Sequence, residues 1–195
     1  MIISAISGLT MILLFGVVAF DLAFKESFRK ITMSGNASNA SYLYRVKIIV
    51  FLASVCGIIY TIGAAQLLGL SIFSVTFFSG IVGSIAMTLM ALTLNNPESS
   101  EHTIFSEIFF FSLLILPIDI IIFFYNTNLI FSIILGILFL LNASLEIKML
   151  FDHILLKKKL IKRSIVNNGI AEVLIMTPSA ISVVVISILI IEKIV

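Results

Sequence analysis

The chain of 195 residues is 61% hydrophobic and 11% charged, and its formal net charge at pH 7 is only +2. Soluble domains carry about 25% charged residues, so this composition excludes an ordinary soluble domain and indicates an integral membrane protein. The weak net charge gives no reason to expect a nucleic-acid partner, and a single cysteine, Cys56, excludes an intramolecular disulfide.

Six apolar segments are long enough to cross a bilayer, because about 20 helical residues span the roughly 30 Å hydrocarbon layer. The predicted spans are residues 2–23, 47–68, 71–94, 104–125, 129–149 and 172–191. Both faces of these segments are apolar, which predicts helices rather than the alternating strands of a membrane barrel. The first span lacks a preceding basic residue and a small-residue cleavage site, so we expect a retained anchor rather than a secretory signal.

The sequence therefore predicts an all-α polytopic membrane bundle, with about six transmembrane helices in one domain over residues 1–195. Four or five spans remain as alternatives, because the junctions at residues 69–71 and 126–128 are short. The bilayer is the expected partner.

Basic residues in short loops favour the cytoplasmic side. They concentrate in two loops, the first with Lys25, Arg29, Lys30, Arg45 and Lys47, and the fifth with Lys157, Lys158, Lys159, Lys162 and Arg163. Because both loops are odd-numbered, this pattern predicts that both are cytoplasmic and both termini lie outside. The abundance of Ile, Phe, Asn and Lys favours an AT-rich genome, and so a prokaryotic cell membrane.

The fifth-loop basic residues, here called the basic cluster (Lys157, Lys158, Lys159, Lys162 and Arg163), accompany apolar residues at roughly helical spacing. Such a segment can lie at the interface and attract anionic lipid, at about 1 kcal/mol per basic residue. The alternative is that the basic cluster only sets the topology.

We find no catalytic constellation. His102 and His153 are the only histidines, each near a predicted span end, and no serine has a histidine at matching depth in a span. No phosphate-binding glycine loop or metal motif occurs in the sequence. We therefore expect no enzymatic activity, no metal and no cofactor.

Small residues in the second and third spans predict close helix packing within the bundle. They recur four positions apart, as Ala53 and Gly57, Ser79 and Gly83, and Gly80 and Ser84. The aromatic run Phe109 to Phe111 is predicted to face lipid.

Pro117 and Asp119 interrupt the fourth span. Proline has no N–H and crowds the carbonyl four residues back, so the carbonyl of Leu113 should lose its helical partner and the helix should kink. Asp119 is the acid predicted deepest in a span, since Glu146 is expected within about a turn of a span end, where Lys148 would neutralise it. A charge at the depth of Asp119 costs about 3 kcal/mol, so its side chain should face the bundle interior.

These residues give two functional hypotheses. In the first, the bundle binds or passes a small solute or cation, with Asp119 and the Leu113 carbonyl as the site, and Asn142 and Gln66 as uncharged partners. No Lys or Arg is predicted at comparable depth, so the lining favours a cation or proton over an anion. In the second, the chain is a structural or assembly subunit of a larger membrane complex. Other membrane subunits or a second copy of the chain are the possible protein partners.

Overall fold

The computed structural model describes residues 1–23, 37–38, 43–97, 99–157 and 169–192. These residues form α1 (Ile2–Ala23), α2 (Leu43–Leu68), α3 (Val75–Thr93), α4 (Ser100–Ile115), α5 (Ile118–Thr127), α6 (Leu129–Lys157) and α7 (Gly169–Glu192). No strand occurs within these ranges. The predicted all-α architecture is confirmed.

Six helical segments are long and apolar enough to cross a membrane, and α4 with α5 forms one of them. The six are Ile2–Leu22, Leu43–Leu68, Val75–Thr93, Ser100–Thr127, Leu129–Asp152 and Glu172–Glu192. The predicted number of spans is therefore confirmed, and the protein is an integral membrane protein that crosses the bilayer several times.

Turn chemistry fixes several helix ends. Ser74 precedes α3, and its hydroxyl accepts the N–H of Phe77 at 3.1 Å. Ser99 caps α4 in the same way through the N–H of His102 at 3.1 Å. These contacts satisfy N–H groups that have no partner inside a helix. Gly69 follows α2 with φ +65°, a conformation that glycine adopts without strain, and it allows the sharp reversal toward α3.

The helices form a closed ring. On one side α2 contacts α1, α1 contacts α7, α7 contacts α6 and α6 contacts α5, which belongs to the same span as α4. On the other side α4 contacts α3, and α3 contacts α2. Two apolar clusters lie inside the bundle, one toward each end of its helices. One joins the end of α1, the start of α2 and the start of α7 through Leu22, Val46 and Ile175. The other joins the start of α1, the end of α2 and the end of α7 through Ala5, Leu67 and Ile190. Both α2 and α7 therefore run antiparallel to α1.

Glycines allow the closest helix contacts. A Cβ atom built on Gly57 would lie 2.6 Å from the Oγ of Ser84, and one built on Gly83 would lie 2.8 Å from the Cβ of Ser112. Both distances are shorter than van der Waals contact, so these positions accept only a hydrogen without rearrangement. The small residues of the second and third spans pack inside the bundle, as predicted.

The prediction that Phe109 to Phe111 faces lipid is wrong for two of the three residues. Phe109 and Phe110 are buried, and Phe111 is exposed. Successive residues on a helix point about 100° apart, so three adjacent side chains cannot share one face. Phe109 stacks on Phe15 of α1, with ring centroids 6.1 Å apart and the planes inclined by 7°.

Candidate functional site

The fourth span is broken at Pro117, as predicted. α4 ends at Ile115 and α5 begins at Ile118. The Leu113 carbonyl, which loses its helical partner at the break, accepts a hydrogen bond from the Ser179 hydroxyl of α7 at 2.7 Å. The freed carbonyl is therefore used in a contact between helices.

Asp119 lies just after the break and faces α3. Its Oδ2 accepts the backbone N–H of Thr76 at 3.0 Å. The Thr76 hydroxyl in turn donates to the Leu116 carbonyl at 2.9 Å. Because Thr76 lies in the first turn of α3, its N–H has no partner inside that helix, and the Asp119 carboxyl oxygen supplies an acceptor at the positive end of the helix dipole. The two bonds join the break in the fourth span to the start of the third.

The two uncharged residues predicted to join Asp119 lie elsewhere. Gln66 is exposed in the last turn of α2. Asn142 is buried on α6, with 2% of its surface exposed. Both polar atoms of the Asn142 amide lack a hydrogen-bond partner among the described residues. Neither residue hydrogen-bonds Asp119, so the structure groups Leu113 with Asp119 at the break and leaves Gln66 and Asn142 apart.

Glu146 is the residue that the sequence analysis misjudged. It is 3% exposed, and neither carboxyl oxygen has a hydrogen-bond partner in the described part of the chain. The candidate span ends at Asp152 and the helix at Lys157, so Glu146 lies about two helical turns before the end of that span. Lys148 does not neutralise Glu146, since its ammonium group pairs with Asp152. Glu146 is therefore a carboxyl group within a membrane span that has no basic partner among these residues.

Asn142 and Glu146 share one face of α6, because residues four apart in a helix lie one above the other. That face points into the protein. The exposed residues on the other faces are mostly large and apolar, with Ser144 and Lys148 as polar exceptions. The apolar ones include Ile133, Ile134, Ile137, Leu140, Leu141, Ile147 and Phe151. A helix of a soluble protein has the opposite arrangement, with its polar face toward water. The four-residue spacing of Asn142 and Glu146 was the signal in the sequence that could have predicted a buried polar face.

Two other buried ionisable groups, His102 and Glu172, lie away from this face of α6. His102 Nδ1 lies 2.9 Å from the Thr93 hydroxyl and joins α4 to α3. Glu172 is buried at the start of α7 and lines a small cavity of about 60 Å³, together with Ser106. Within the described ranges, no group of three or more His, Cys, Asp or Glu side chains is arranged to hold a metal ion.

The larger cavity has a volume of about 210 Å³ and lies among α1, α2, α3, α4 and α7. Leu113 contributes to its lining, whereas Asp119, Asn142, Glu146 and Gln66 do not. The bundle therefore has two separate features of interest, an apolar cavity and a buried polar pair on α6.

Only Lys157 of the basic cluster belongs to the described residues. It is the last residue of α6. Lys158, Lys159, Lys162 and Arg163 fall outside the described residues. The attraction of this cluster for anionic lipid stays a prediction.

Comparisons of this chain with protein-family models, with curated proteins and with solved structures gave no match.

Proposed function

We propose that this membrane protein binds or passes a small cation, or a proton, and that Asn142 and Glu146 form the polar centre. The observation behind the proposal is the burial of a carboxyl and an amide, one helical turn apart, without hydrogen-bond partners among the described residues. Ionisable residues inside a membrane span are costly and commonly mark ion pathways or proton relays. A carboxylate in such surroundings requires a counter-charge or a proton.

The chemistry of the pair favours a positively charged ligand. Carboxylate and amide oxygens are hard ligands that suit cations such as Na⁺, K⁺, Mg²⁺ and Ca²⁺. The nearby Lys148 is engaged with Asp152 and is largely exposed, so it does not compete for Glu146. An anion would meet the Glu146 carboxylate at the same point, which makes an anion the weaker candidate.

The cation site predicted at Asp119 and the Leu113 carbonyl is a separate proposal. Both groups have internal partners, through Thr76 and Ser179. These contacts favour a structural role, in which Asp119 holds the broken span against α3.

A cation screen on the purified wild-type protein tests the proposed function. A ligand at 100 times its Kd stabilises the folded state by about 2.7 kcal/mol, so a specific cation should raise the unfolding temperature by several degrees. The screen compares Li⁺, Na⁺, K⁺, Mg²⁺ and Ca²⁺ at matched ionic strength with choline, together with a pH series, and flux in proteoliposomes follows. No ion-specific or pH-dependent shift and no flux would contradict the proposal.

The alternative function, a structural or assembly subunit, requires an exposed surface that contacts a foreign protein. Asn142 and Glu146 are buried within this chain and supply no such surface. Copurification with stoichiometric foreign subunits, in the absence of any cation effect, would favour this alternative.

For the orientation, we propose that the termini lie outside and that the α3–α4 turn is cytoplasmic. Asn96 in that turn and Asn128 in the α5–α6 turn are both exposed. In a Cys56→Ser background, Asn128→Cys should react with an impermeant maleimide added to intact cells, and Asn96→Cys should react only after permeabilisation. The opposite labelling pattern would reverse the proposed orientation.

A further inference from the structure

The cavity among α1, α2, α3, α4 and α7 is large enough to hold a ligand. Its volume of about 210 Å³ exceeds the roughly 150 Å³ of an engineered apolar cavity that stays dry and binds benzene. It remains open even though the surrounding helices are in close contact at Gly57 and Gly83, which also line it. Loose packing of these helices therefore does not account for the cavity.

The lining offers little to water or to an ion. It contains no charged side chain, and it includes the thioethers of Met11, Met87 and Met176 and the rings of Phe15 and Phe109. Its serine and threonine hydroxyls donate to backbone carbonyls, as Ser84 does to Gly80, Thr61 to Gly57, Ser112 to Ile108, Thr177 to Val173, Ser79 to Thr76 and Ser179 to Leu113. Tyr60 differs, since its hydroxyl has no hydrogen-bond partner among the described residues. An apolar occupant fits this lining best.

The cavity reaches the surface within the membrane. Gly16 of α1 and Thr177 of α7 belong to the lining and are exposed. Both lie inside spans, Ile2–Leu22 and Glu172–Glu192. A Cβ atom built on Gly16 would meet no atom within 4 Å, so the position borders open space. An opening at this depth faces hydrocarbon chains of the bilayer rather than water.

We propose that this cavity binds part of one hydrocarbon chain of a bilayer phospholipid, which enters at Gly16 and Thr177. The phospholipid chain is the molecule present at the opening, and it matches the uncharged lining. Methionine side chains are flexible and polarisable, so Met11, Met87 and Met176 can adapt to a chain whose conformation varies. The site is independent of the cation proposal, because Asn142 and Glu146 take no part in the lining.

Photocrosslinking in nanodiscs tests the site. The probe is a phosphatidylcholine with a diazirine at the middle of one acyl chain, and mass spectrometry locates the attachment. Met87 is the internal reporter, because it lines the cavity and is only 2% exposed. Ile137 on the outside of α6 is the reference for ordinary lipid contact. We expect crosslinks at both residues in the wild-type protein.

Gly16→Leu should close the opening, because its side chain extends into space that is empty around Gly16. Crosslinking at Met87 should fall about tenfold, which corresponds to about 1.4 kcal/mol of binding, while crosslinking at Ile137 stays unchanged. Gly136→Leu is the matched control, since Gly136 is also helical, has no atom within 4 Å of a built Cβ, and lies outside the lining. This control should retain the Met87 signal.

Absence of Met87 crosslinks in the wild-type protein would overturn the proposal, whether or not the leucine variants fold. Equal Met87 signals in both leucine variants would overturn the assigned entrance. A small aromatic diazirine that labels Met87 where the phospholipid does not would show that the cavity takes a compact lipophilic molecule and excludes the chain.

Discussion

Replacing Glu146 by Gln is expected to abolish the cation- or pH-dependent response of this protein without unfolding it. Gln keeps the size and hydrogen-bonding shape of the side chain and removes its ionisable group. The Glu146 carboxyl is buried without a partner among the described residues, so its neutral replacement breaks no observed bond and removes the cost of a buried charge. Stability in the absence of ligand should stay equal or increase.

The loss should appear in two measurements. Cation-dependent thermal stabilisation should disappear, and flux in proteoliposomes should fall by at least about tenfold, because even residues that only support the ligands of a bound metal typically contribute about tenfold or more. The matched control is Glu107→Gln on α4. Glu107 is another carboxyl residue within a span, and its side chain is only partly buried. Equal losses in both variants would point to a general effect of charge rather than to a site at Glu146.

Asp119→Asn tests whether the cation response depends on Asp119 or on Glu146. The Asn side chain retains a carbonyl oxygen that can accept the Thr76 N–H, so the contact between α5 and α3 is expected to survive. If the polar centre is on α6, Asp119→Asn keeps its cation response and Glu146→Gln does not. Loss in Asp119→Asn alone would restore the site predicted from the sequence and reject the one proposed on α6.

The sequence was sufficient for the features that depend on local chemistry. Span lengths follow from hydrophobic runs, and the break at Pro117 follows from a missing N–H. The partners of the interrupted span could not be predicted, because they come from distant parts of the chain. Thr76 and Ser179 lie on α3 and α7, and only the packed bundle brings them to Asp119 and to the Leu113 carbonyl.

The misplacement of Glu146 has a local physical cause. The predicted span ended at residue 149, where charged residues begin to appear, but α6 continues to Lys157. Lys148 and Asp152 are four residues apart and pair along the helix, which allows both charges to remain on a continuing helix. A charged residue therefore does not mark the end of a helix when its partner lies one turn further along the same helix.

The apolar cavity was not predicted because its volume depends on several helices at once. The sequence shows the small residues that bring α2, α3 and α4 together, but it does not show where their contacts leave a gap. Gly57 and Gly83 illustrate the difficulty, because each lines the cavity and also contacts a neighbouring helix closely.

Gly63→Ala is expected to cause the largest loss of stability among single-methyl substitutions at the described glycines. A Cβ atom on Gly63 would lie 2.1 Å from the Cβ of Ser4 and 2.3 Å from its Oγ. The Ser4 Cβ is attached directly to the backbone of α1, so it cannot rotate away and the two helices must separate. Overpacking of this kind costs about 1–3 kcal/mol, and the unfolding temperature in detergent should fall accordingly.

Gly136→Ala and a second substitution at the contact show whether the close approach of α1 and α2 is the cause. Gly136 has no atom within 4 Å of a built Cβ, so alanine there should be neutral or stabilising by up to about 1 kcal/mol through its better helix propensity. Ser4→Gly removes both atoms that the new methyl would meet, so it should restore much of the stability lost in Gly63→Ala. A double-mutant cycle should therefore show a favourable coupling between positions 4 and 63. If Gly63→Ala is as stable as Gly136→Ala, or if Ser4→Gly gives no rescue, α1 and α2 do not meet at these two residues and the ring of helices must close in another way.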